Sequence, residues 1–148
     1  MMLSKKLFYA VEAVLFIAYN SGNGPISGRD IAAKQGLPPR YLEQLMQRLV
    51  RNGILRGVRG PHGGYVLAKE RRRISVYDIC AALEETDETN LGDYEGTPLG
   101  KQIVMPVWEH AYQQTMDHLK QVNLATLCEQ ALAQSIRKEG AEKMDFAI

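Results

Sequence analysis

The feature that most constrains the fold is the stretch from Leu37 to Leu67, where a basic amphipathic helix runs directly into a glycine-rich hairpin. Apolar residues recur there at the spacing of one helix face: Leu42, Leu45, Met46, Leu49 and Val50. The opposite face carries long hydrogen-bond donors: Arg40, Gln44, Gln47, Arg48 and Arg51. Pro38 and Pro39 favour a helix start, and Asn52-Gly53 favours a left-handed helix end. The pattern predicts one helix with a buried apolar side and a cationic outer side.

After this helix the sequence predicts a β-hairpin. Ile54-Leu55 and Tyr65-Val66-Leu67 are typical of short strands, and glycines, Pro61 and the basic residues Arg56, Arg59 and His62 lie between them. The glycines keep the backbone slim, so that Arg59 could approach DNA closely. A basic helix followed by such a hairpin is the layout of a winged helix-turn-helix, whose helix enters a major groove while the hairpin reaches a minor groove. A basic helix face alone is more often only solvated, and it is the hairpin that favours nucleic acid as the partner.

Charge is divided unevenly along the 148-residue chain. Residues 1–73 carry 13 lysines and arginines against 4 acidic residues, whereas residues 74–148 carry 5 against 13. The basic half can supply contacts to phosphates, and the acidic half would be repelled by DNA. We therefore expect DNA recognition in the first half and dimerisation or sensing in the second.

Two helices are predicted before the central stretch. The first covers about residues 4–20, with Ser4 as its N-cap. Its inner face would consist of Leu7, Phe8, Val11, Val14, Leu15 and Ala18. The second begins at Ser27 and ends at Gly36, which makes residues 35–39 the turn of the helix-turn-helix.

Three more helices are predicted after the hairpin. Ser75 and Asp78 predict a capping box that opens a helix to about Glu85. A long helix follows over about residues 101–122, in which Pro106 lies in the first turn or, if the helix begins earlier, kinks it. A last helix covers about residues 124–138. The buried side of the last helix would comprise Leu124, Leu127, Cys128, Ala131, Leu132 and Ile136. The long helix would cross back over the first half or pair with its copy in a dimer, through Val104, Trp108, Ala111, Thr115 and Leu119.

The expected fold class is mainly α-helical with a small β-hairpin wing: a winged helix-turn-helix domain plus a long dimerisation helix. The DNA-binding domain would span residues 1–85, followed by an exposed acidic loop over residues 86–100, dimerisation helices over residues 101–140 and a tail over residues 141–148. The run Arg71-Arg72-Arg73 is more typical of a solvated loop than of a DNA contact.

Several protein classes are disfavoured by the sequence. No apolar run approaches the roughly 20 residues of a membrane span, and no signal-peptide pattern is present. Two cysteines, Cys80 and Cys128, do not make a disulfide framework, so we expect a cytoplasmic protein. No nucleophile elbow, phosphate loop or HExxH motif occurs, and the chain is therefore not expected to be an enzyme.

Ordered motifs in residues 2–85 carry a family resemblance. They are LSKKLFYAVEAV, Gly24-Pro25-Ile26, Asp30-Ile31-Ala32, Tyr41-Leu42-Glu43-Gln44-Leu45, Arg51-Asn52-Gly53-Ile54 and Val58-Arg59-Gly60-Pro61-x-Gly63-Gly64-Tyr65. In these motifs the chain resembles the Rrf-two family of bacterial transcription regulators, of the IscR and NsrR type. The resemblance implies a homodimeric winged-helix regulator. We expect a repressor of transcription that places two recognition helices on a pseudo-palindromic operator in double-stranded DNA.

The candidate DNA contacts are of three kinds. Gln44 suits adenine and Glu43 can accept a hydrogen bond from cytosine, and the resemblance also implies a base reader at Glu43. Candidates for phosphate contacts are Lys5, Arg40, Tyr41 and Arg48. The hairpin contributes Arg59, which is expected to enter the minor groove, together with His62, Gly63 and Gly64.

Members of the Rrf-two family, which this chain resembles, often bind an iron–sulfur cluster through three closely spaced cysteines before the long helix. This chain departs from that pattern, because residues 86–100 contain neither cysteine nor histidine and Met105 replaces the histidine that the IscR pattern has three residues before Trp108. We therefore expect no cofactor and no metal, with an atypical cluster as the alternative. Cys80 and Cys128 are expected to be core residues, although Cys80 remains a possible redox or ligand residue.

Two function classes stay open at this point. The first is a DNA-binding transcription regulator that responds to a redox, metabolite or partner signal. The second is a winged-helix protein-interaction module without specific DNA binding. The basic excess on the helix and wing favours the first, and a steep fall of DNA affinity with salt, together with a sequence preference, would separate the two.

Overall fold

Six α-helices and one antiparallel hairpin follow each other in the part of the chain that the structure, a computed structural model, describes: residues 3–84 and 91–139. The elements are α1 (Lys5–Tyr19), α2 (Gly28–Gln35), α3 (Pro39–Arg51), β1 (Leu55–Val58), β2 (Gly64–Leu67), α4 (Val76–Ala82), α5 (Met105–Gln121) and α6 (Leu124–Ala133). Short 3₁₀ turns lie at Ser21–Asn23, Arg71–Arg73 and Leu91–Asp93, and a π-helical turn, Leu99–Val104, precedes α5. This order confirms the predicted fold class.

Side-chain caps set the helix starts. Ser4 and Ser27 each accept a hydrogen bond from the backbone N–H three residues later, at 3.4 and 3.1 Å. Ser75 and Asp78 form a complete capping box at α4, because each side chain accepts from the other residue's backbone N–H at 3.0 Å. Pro106 lies in the first turn of α5, directly after a π-helical turn. The caps at Ser4, Ser27 and Ser75 were all predicted from the sequence.

The hydrophobic core is built around α1, which packs against α2, α4, α6 and β2. Two alanines, Ala10 and Ala13, are fully buried on this helix and let the neighbouring elements approach it closely. The largest fully buried side chains of the core include Ile17, Ile31, Leu42, Met46, Leu49, Ile79, Leu83 and Leu124.

The buried face of α1 differs from the predicted one at Phe8. Leu7, Val14 and Ala18 are buried as expected, but Phe8 is 64% exposed. The predicted inner face of α1 was based on its large apolar residues. The observed buried face is centred on Ala10 and Ala13 and therefore points away from Phe8.

The end of α6 was also predicted wrongly. The helix stops at Ala133 instead of residue 138, and Ser135 takes a positive φ of 59° that turns the chain. The segment then returns to α1, where the buried Asn20 Oδ1 accepts from the backbone N–H of Glu139 at 2.7 Å. Leu132 and Ile136, which were expected to be buried, are exposed because no element covers their side of the helix end within the described chain.

The long helix begins later than predicted. Met105 N–H donates to the carbonyl of Gly100, five residues back, and Pro106 has no N–H to donate, so the backbone before it forms a wider π-helical turn. Residues 91–99 are exposed, as expected for that part of the acidic loop. Helix α4 ends at Ala82, earlier than the predicted end near Glu85, because the Leu83 N–H turns back to the carbonyl of Cys80. Loop residues 86–90 and the tail at 141–148 lie outside the described residues. Among the described helices, none is long and apolar enough to cross a membrane.

Candidate nucleic-acid interface

Helix α3 is held by its apolar side and presents its polar side to solvent. Its inner face is buried, through Leu42, Leu45, Met46 and Leu49, and α2 packs against it. The Leu37 N–H donates to the carbonyl of Ala32 at 2.9 Å and fixes the turn between the two helices. The residues left exposed on α3 include Arg40, Glu43, Gln44, Gln47 and Arg51. A rigid helix with an outward row of long polar side chains has the form of a recognition helix.

The hairpin projects its basic tip away from the core. Strands β1 and β2 pair in antiparallel register from Leu55 opposite Leu67 to Val58 opposite Gly64, and Leu55 is buried at the base. The Gly63 N–H donates to the carbonyl of Gly60 at 3.0 Å and closes the tip. Residues 59–62 are all exposed, so Arg59 and His62 stand at the outer end of the wing.

The wing is tied to the helix-turn-helix by a third extended segment. Ile26, just before α2, pairs with Tyr65 of β2 through two backbone hydrogen bonds, Ile26 N to Tyr65 O at 3.1 Å and Tyr65 N to Ile26 O at 2.8 Å. Gly64 passes so close to this segment that a Cβ there would overlap the carbonyl group of Ile26 and lie 2.7 Å from Ser27 N. The wing therefore cannot hinge freely relative to α2.

Two glycines that were predicted as DNA contacts thus have a structural reason to be glycine. A Cβ at Gly63 would overlap the carbonyl oxygen of Val58 across the hairpin, and one at Gly64 would meet Ile26. Their small size shapes the wing, whatever else they contact.

Tyr65 is a central residue of this surface that the sequence reasoning treated only as part of a strand. Its ring lies against Gly28 at the start of α2, where a Cβ would come within 3.2 Å of the ring. Burial, and secondly the negative charge of Glu43, raise the pKa of Tyr65 above its ordinary value. Tyr65 therefore lies where the wing, the start of α2 and the outer face of α3 meet. The sequence feature that could have indicated this role is the position of Tyr65 directly after the glycine motif of the hairpin.

The predicted phosphate contacts are placed differently from one another. Lys5 and Arg40 are exposed in the first turns of α1 and α3, whereas Tyr41 is half-buried and packs against the core. Arg48 is half-buried too, and its Nη2 donates to the backbone carbonyl of Glu84 at 3.4 Å, so its guanidinium faces the end of α4. Arg29, which the sequence analysis did not select, is exposed in the first turn of α2.

Helix α5 leaves an uncovered apolar face in the single chain. Trp108 is 62% exposed and Val104 is exposed beside it. Other large apolar residues in the same region are also exposed: Leu99, Ile103, Val107 and Tyr112. Towards its end the helix turns inward, because Met116 is buried and Leu119 packs against the core. The predicted stripe is therefore divided, with its first half open and its second half in contact with the chain's own core.

Both cysteines are buried helix residues. Cys80 is 2% exposed in α4, and Cys128 is also buried, in α6. Burial, and secondly the charge of Glu84, raise the pKa of the Cys80 thiol, which lowers its thiolate fraction near neutral pH. Within residues 3–84 and 91–139, no three His, Cys, Asp or Glu side chains come together in a group that could hold a metal ion.

Comparison with known proteins agrees with this geometry. Residues 3–130 match the family described as "Rrf2: Iron-dependent Transcriptional regulator". The chain is 39% identical to the HTH-type transcriptional regulator IscR of Erwinia tasmaniensis and 37% identical to that of Yersinia pseudotuberculosis, each over 86% of this chain and 78% or 79% of the relative.

Solved structures give the same result. The chain superposes on T. potens IscR with a TM-score of 0.76 and 33% identity, over 93% of each chain. It superposes on CymR, described as the global cysteine regulator of B. subtilis, with a TM-score of 0.69 and 28% identity, over 88% of this chain and 98% of the other. These proteins are regulators and not enzymes, in agreement with the prediction from the sequence. The chain belongs to the Rrf2 family and is a winged-helix, DNA-binding transcription regulator of the IscR and CymR type.

Proposed function

We propose that the protein is a cytoplasmic homodimer that represses transcription by binding a pseudo-palindromic operator. The observation that carries the proposal is the rigid connection between two exposed basic elements, the outer face of α3 and the wing tip at Arg59. Because the pair Ile26–Tyr65 fixes the wing to α2, both elements can engage one stretch of duplex with little ordering cost.

In this proposal α3 enters the major groove. Glu43 and Gln44 are exposed side by side on its first turns and would read base edges. Lys5 and Arg40, which carry exposed charges, would hold phosphates on either side. We add Arg29 to this group because it is exposed at the start of α2 and can reach a phosphate without leaving its helix.

The wing would contact the neighbouring minor groove. Arg59 stands at the exposed tip beside His62, and the glycines around it keep other side chains out of the way. Arginine is attracted to a narrow minor groove by its enhanced negative potential. Arg48 is a weaker candidate than the sequence suggested, since reaching a phosphate would require it to leave the carbonyl of Glu84.

Dimerisation would bury the open half of α5. Val104 and Trp108 would meet the same residues of a second copy, with Ala111 extending the contact, while Thr115 and Leu119 lie where the helix returns to its own core. Large apolar side chains left exposed in a row are a typical signature of such an interface. We assign the DNA-binding function to residues 1–85 and dimerisation to residues 101–140.

The residues present do not fit the iron–sulfur cluster that the family description suggests. A cluster normally needs several thiolates, and this chain has only Cys80 and Cys128. Both are buried on helices, and Cys80 has a raised pKa that disfavours the ligating thiolate. We therefore propose a regulator that senses its signal without a cluster. An absorbance spectrum and iron assay on protein purified without oxygen test this, since stoichiometric iron and sulfide would contradict it.

The DNA-binding proposal is tested by Arg59→Ala in a gel-shift titration against an operator obtained by selection from random DNA. Loss of one good groove contact should weaken specific binding by about 1–3 kcal/mol. Arg71→Ala removes the same charge from an exposed turn outside α3 and the wing and should change affinity much less. Equal affinity of Arg59→Ala and the wild type would exclude Arg59 as a groove contact. Absence of any sequence preference in the wild type would favour a protein-interaction module instead.

A further inference from the structure

A solvent-open cavity of about 440 Å³ lies at the junction between the winged helix and the last two helices. Arg72 and Arg73, on the 3₁₀ turn after the wing, form one wall. Lys120, in the last turn of α5, and Asn123, the N-cap of α6, form the other. This volume is in the range of small-molecule sites in proteins.

The cavity is strongly cationic. Three lining residues are positively charged, Arg72, Arg73 and Lys120, and one is a carboxylate, Asp78. One oxygen of Asp78 already accepts the Ser75 backbone N–H in the capping box. The cations themselves form no ion pair with any residue that the structure describes. Lys120 Nζ lies 4.7 Å from the centre of the Tyr77 ring, which holds the ammonium group at the cavity wall.

The polar side chains of the cavity also carry hydrogen-bond donors that no described residue uses. The Asn123 Oδ1 accepts from the Thr126 N–H at 3.0 Å, and the Asn123 amide NH₂ donates to no residue that the structure describes. The Ser75 Oγ accepts from Asp78 N at 3.0 Å, and its hydroxyl proton is likewise uncommitted among the described residues. The helix caps use Ser75 Oγ, Asn123 Oδ1 and one oxygen of Asp78 as acceptors. The second oxygen of Asp78 is the remaining negative group, set against three cations and the unused donors, so the cavity suits a ligand rich in acceptors.

The two walls are joined by backbone hydrogen bonds below the cavity. Val76 N donates to the carbonyl of Val122 at 2.8 Å, and Leu124 N donates to the carbonyl of Ile74 at 3.0 Å. Ile74 and Leu124 are fully buried beneath them. A ligand that bridges Arg73 and Lys120 would therefore act on the contact that connects the start of α4 to the junction of α5 and α6.

We propose that this cavity binds a small organic polyanion, one that carries a phosphate group or at least two carboxylates, as the effector of the regulator. Its charges would be met by Arg72, Arg73 and Lys120, and its further oxygens by Asn123 and Ser75. The binding site stands on the geometry above, whereas its role as an effector site rests on the proposed regulatory function. The same cations could attract a backbone phosphate of DNA, and the experiment separates these two sources.

The test is isothermal titration calorimetry of the full chain without DNA, with citrate, pyrophosphate and inorganic phosphate as probes at constant ionic strength. The wild type should bind citrate or pyrophosphate saturably. The double variant Arg73→Gln/Lys120→Gln should weaken that binding by about tenfold or more, because two hydrogen bonds to charged groups are lost. Arg71→Gln removes an equal charge from the same exposed turn but does not line this cavity, and it should leave binding within about twofold. Lys120→Arg keeps the charge and should retain binding, which separates loss of charge from mere substitution at this position. A circular dichroism spectrum equal to that of the wild type checks that the double variant is folded.

Three outcomes would overturn the proposal. They are no saturable binding of any probe, an equal loss in Arg71→Gln, and retained binding in a folded double variant. A fourth concerns DNA: if the double variant loses operator affinity and the duplex displaces citrate from the wild type, the cavity serves the DNA backbone instead. Lost citrate binding with unchanged operator affinity supports the small anion. Because the calorimetry contains no DNA, a failure of the proposed DNA-binding function would leave its result intact.

Discussion

Replacing Gly64 by alanine should detach the wing from the helix-turn-helix. In the structure the Gly64 backbone lies directly against Ile26 and Ser27, and an added Cβ would overlap the Ile26 carbonyl group. These atoms are backbone on both sides, so no side chain can move aside to make room. The strands must separate by enough to admit a methyl group, and the first contacts affected are the hydrogen bonds next in sequence.

The magnitude follows from those contacts. Two backbone hydrogen bonds join Ile26 and Tyr65, at 3.1 and 2.8 Å. Each such bond contributes about 0.5–1.5 kcal/mol net, so losing both should lower the free energy of unfolding by about 1–3 kcal/mol. Operator affinity should fall as well, because Arg59 would no longer be held in a fixed position relative to α3.

Gly57→Ala is a matched control on the opposite strand. A Cβ there meets no atom within 4 Å, and Gly57 pairs with Tyr65 across the hairpin. It should change the free energy of unfolding by about 0.5 kcal/mol or less. Urea denaturation followed by circular dichroism, at one fixed protein concentration, measures both variants. If Gly64→Ala is as stable as Gly57→Ala and binds the operator equally well, the Ile26–Tyr65 bridge does not position the wing.

Four further predictions concern other parts of the chain. Ser75→Ala removes one half of the capping box at α4 and should cost about 1 kcal/mol in urea denaturation, while an unchanged midpoint would mean that the cap is replaced by solvent. Trp108→Glu should shift the protein from dimer to monomer in sedimentation velocity, whereas Lys69→Glu, an exposed position outside residues 101–140, should not. An unaffected dimer in Trp108→Glu would place the interface elsewhere. Cys80 should react with iodoacetamide far more slowly in the native protein than in urea, and native reaction at the urea rate would contradict its burial. Folding raises the pKa of Cys80, so the thiol ionises first in the unfolded chain, and the free energy of unfolding should fall as the pH rises from the ordinary thiol pKa to the higher native pKa. The difference in free energy of unfolding between the wild type and Cys80→Ala should therefore change only in that alkaline range.

The recognition helix shows how much local pattern can predict. The four buried residues of α3 were all in the apolar stripe, and Pro39 marks its first turn. The capping box at Ser75 was likewise predicted correctly, since it depends only on two residues three positions apart. Such features form within one or two turns of chain, where backbone geometry determines which side chains can meet.

Burial and contacts were predicted wrongly, or missed, where they depend on packing against a segment distant in the sequence. Phe8 and Ile136 belong to apolar stripes, yet both are exposed because no other described segment covers them. The connection between Ile26 and Tyr65 was also missed, since a single paired residue leaves no periodic trace in the sequence. Periodicity identifies which residues share a face of a helix, but it does not predict which other element that face contacts.

The sequence by itself determined the fold class, the side-chain caps at Ser4, Ser27 and Ser75, the basic helix and wing, and the family to which the chain belongs. Repeating spacing, caps and glycine motifs encode these properties locally. The tertiary structure alone decided that the wing is bound to α2, that Arg48 faces Glu84, and that Arg72, Arg73 and Lys120 surround one cavity. These depend on how buried faces pack together, because packing brings distant segments into contact only after each helix has formed.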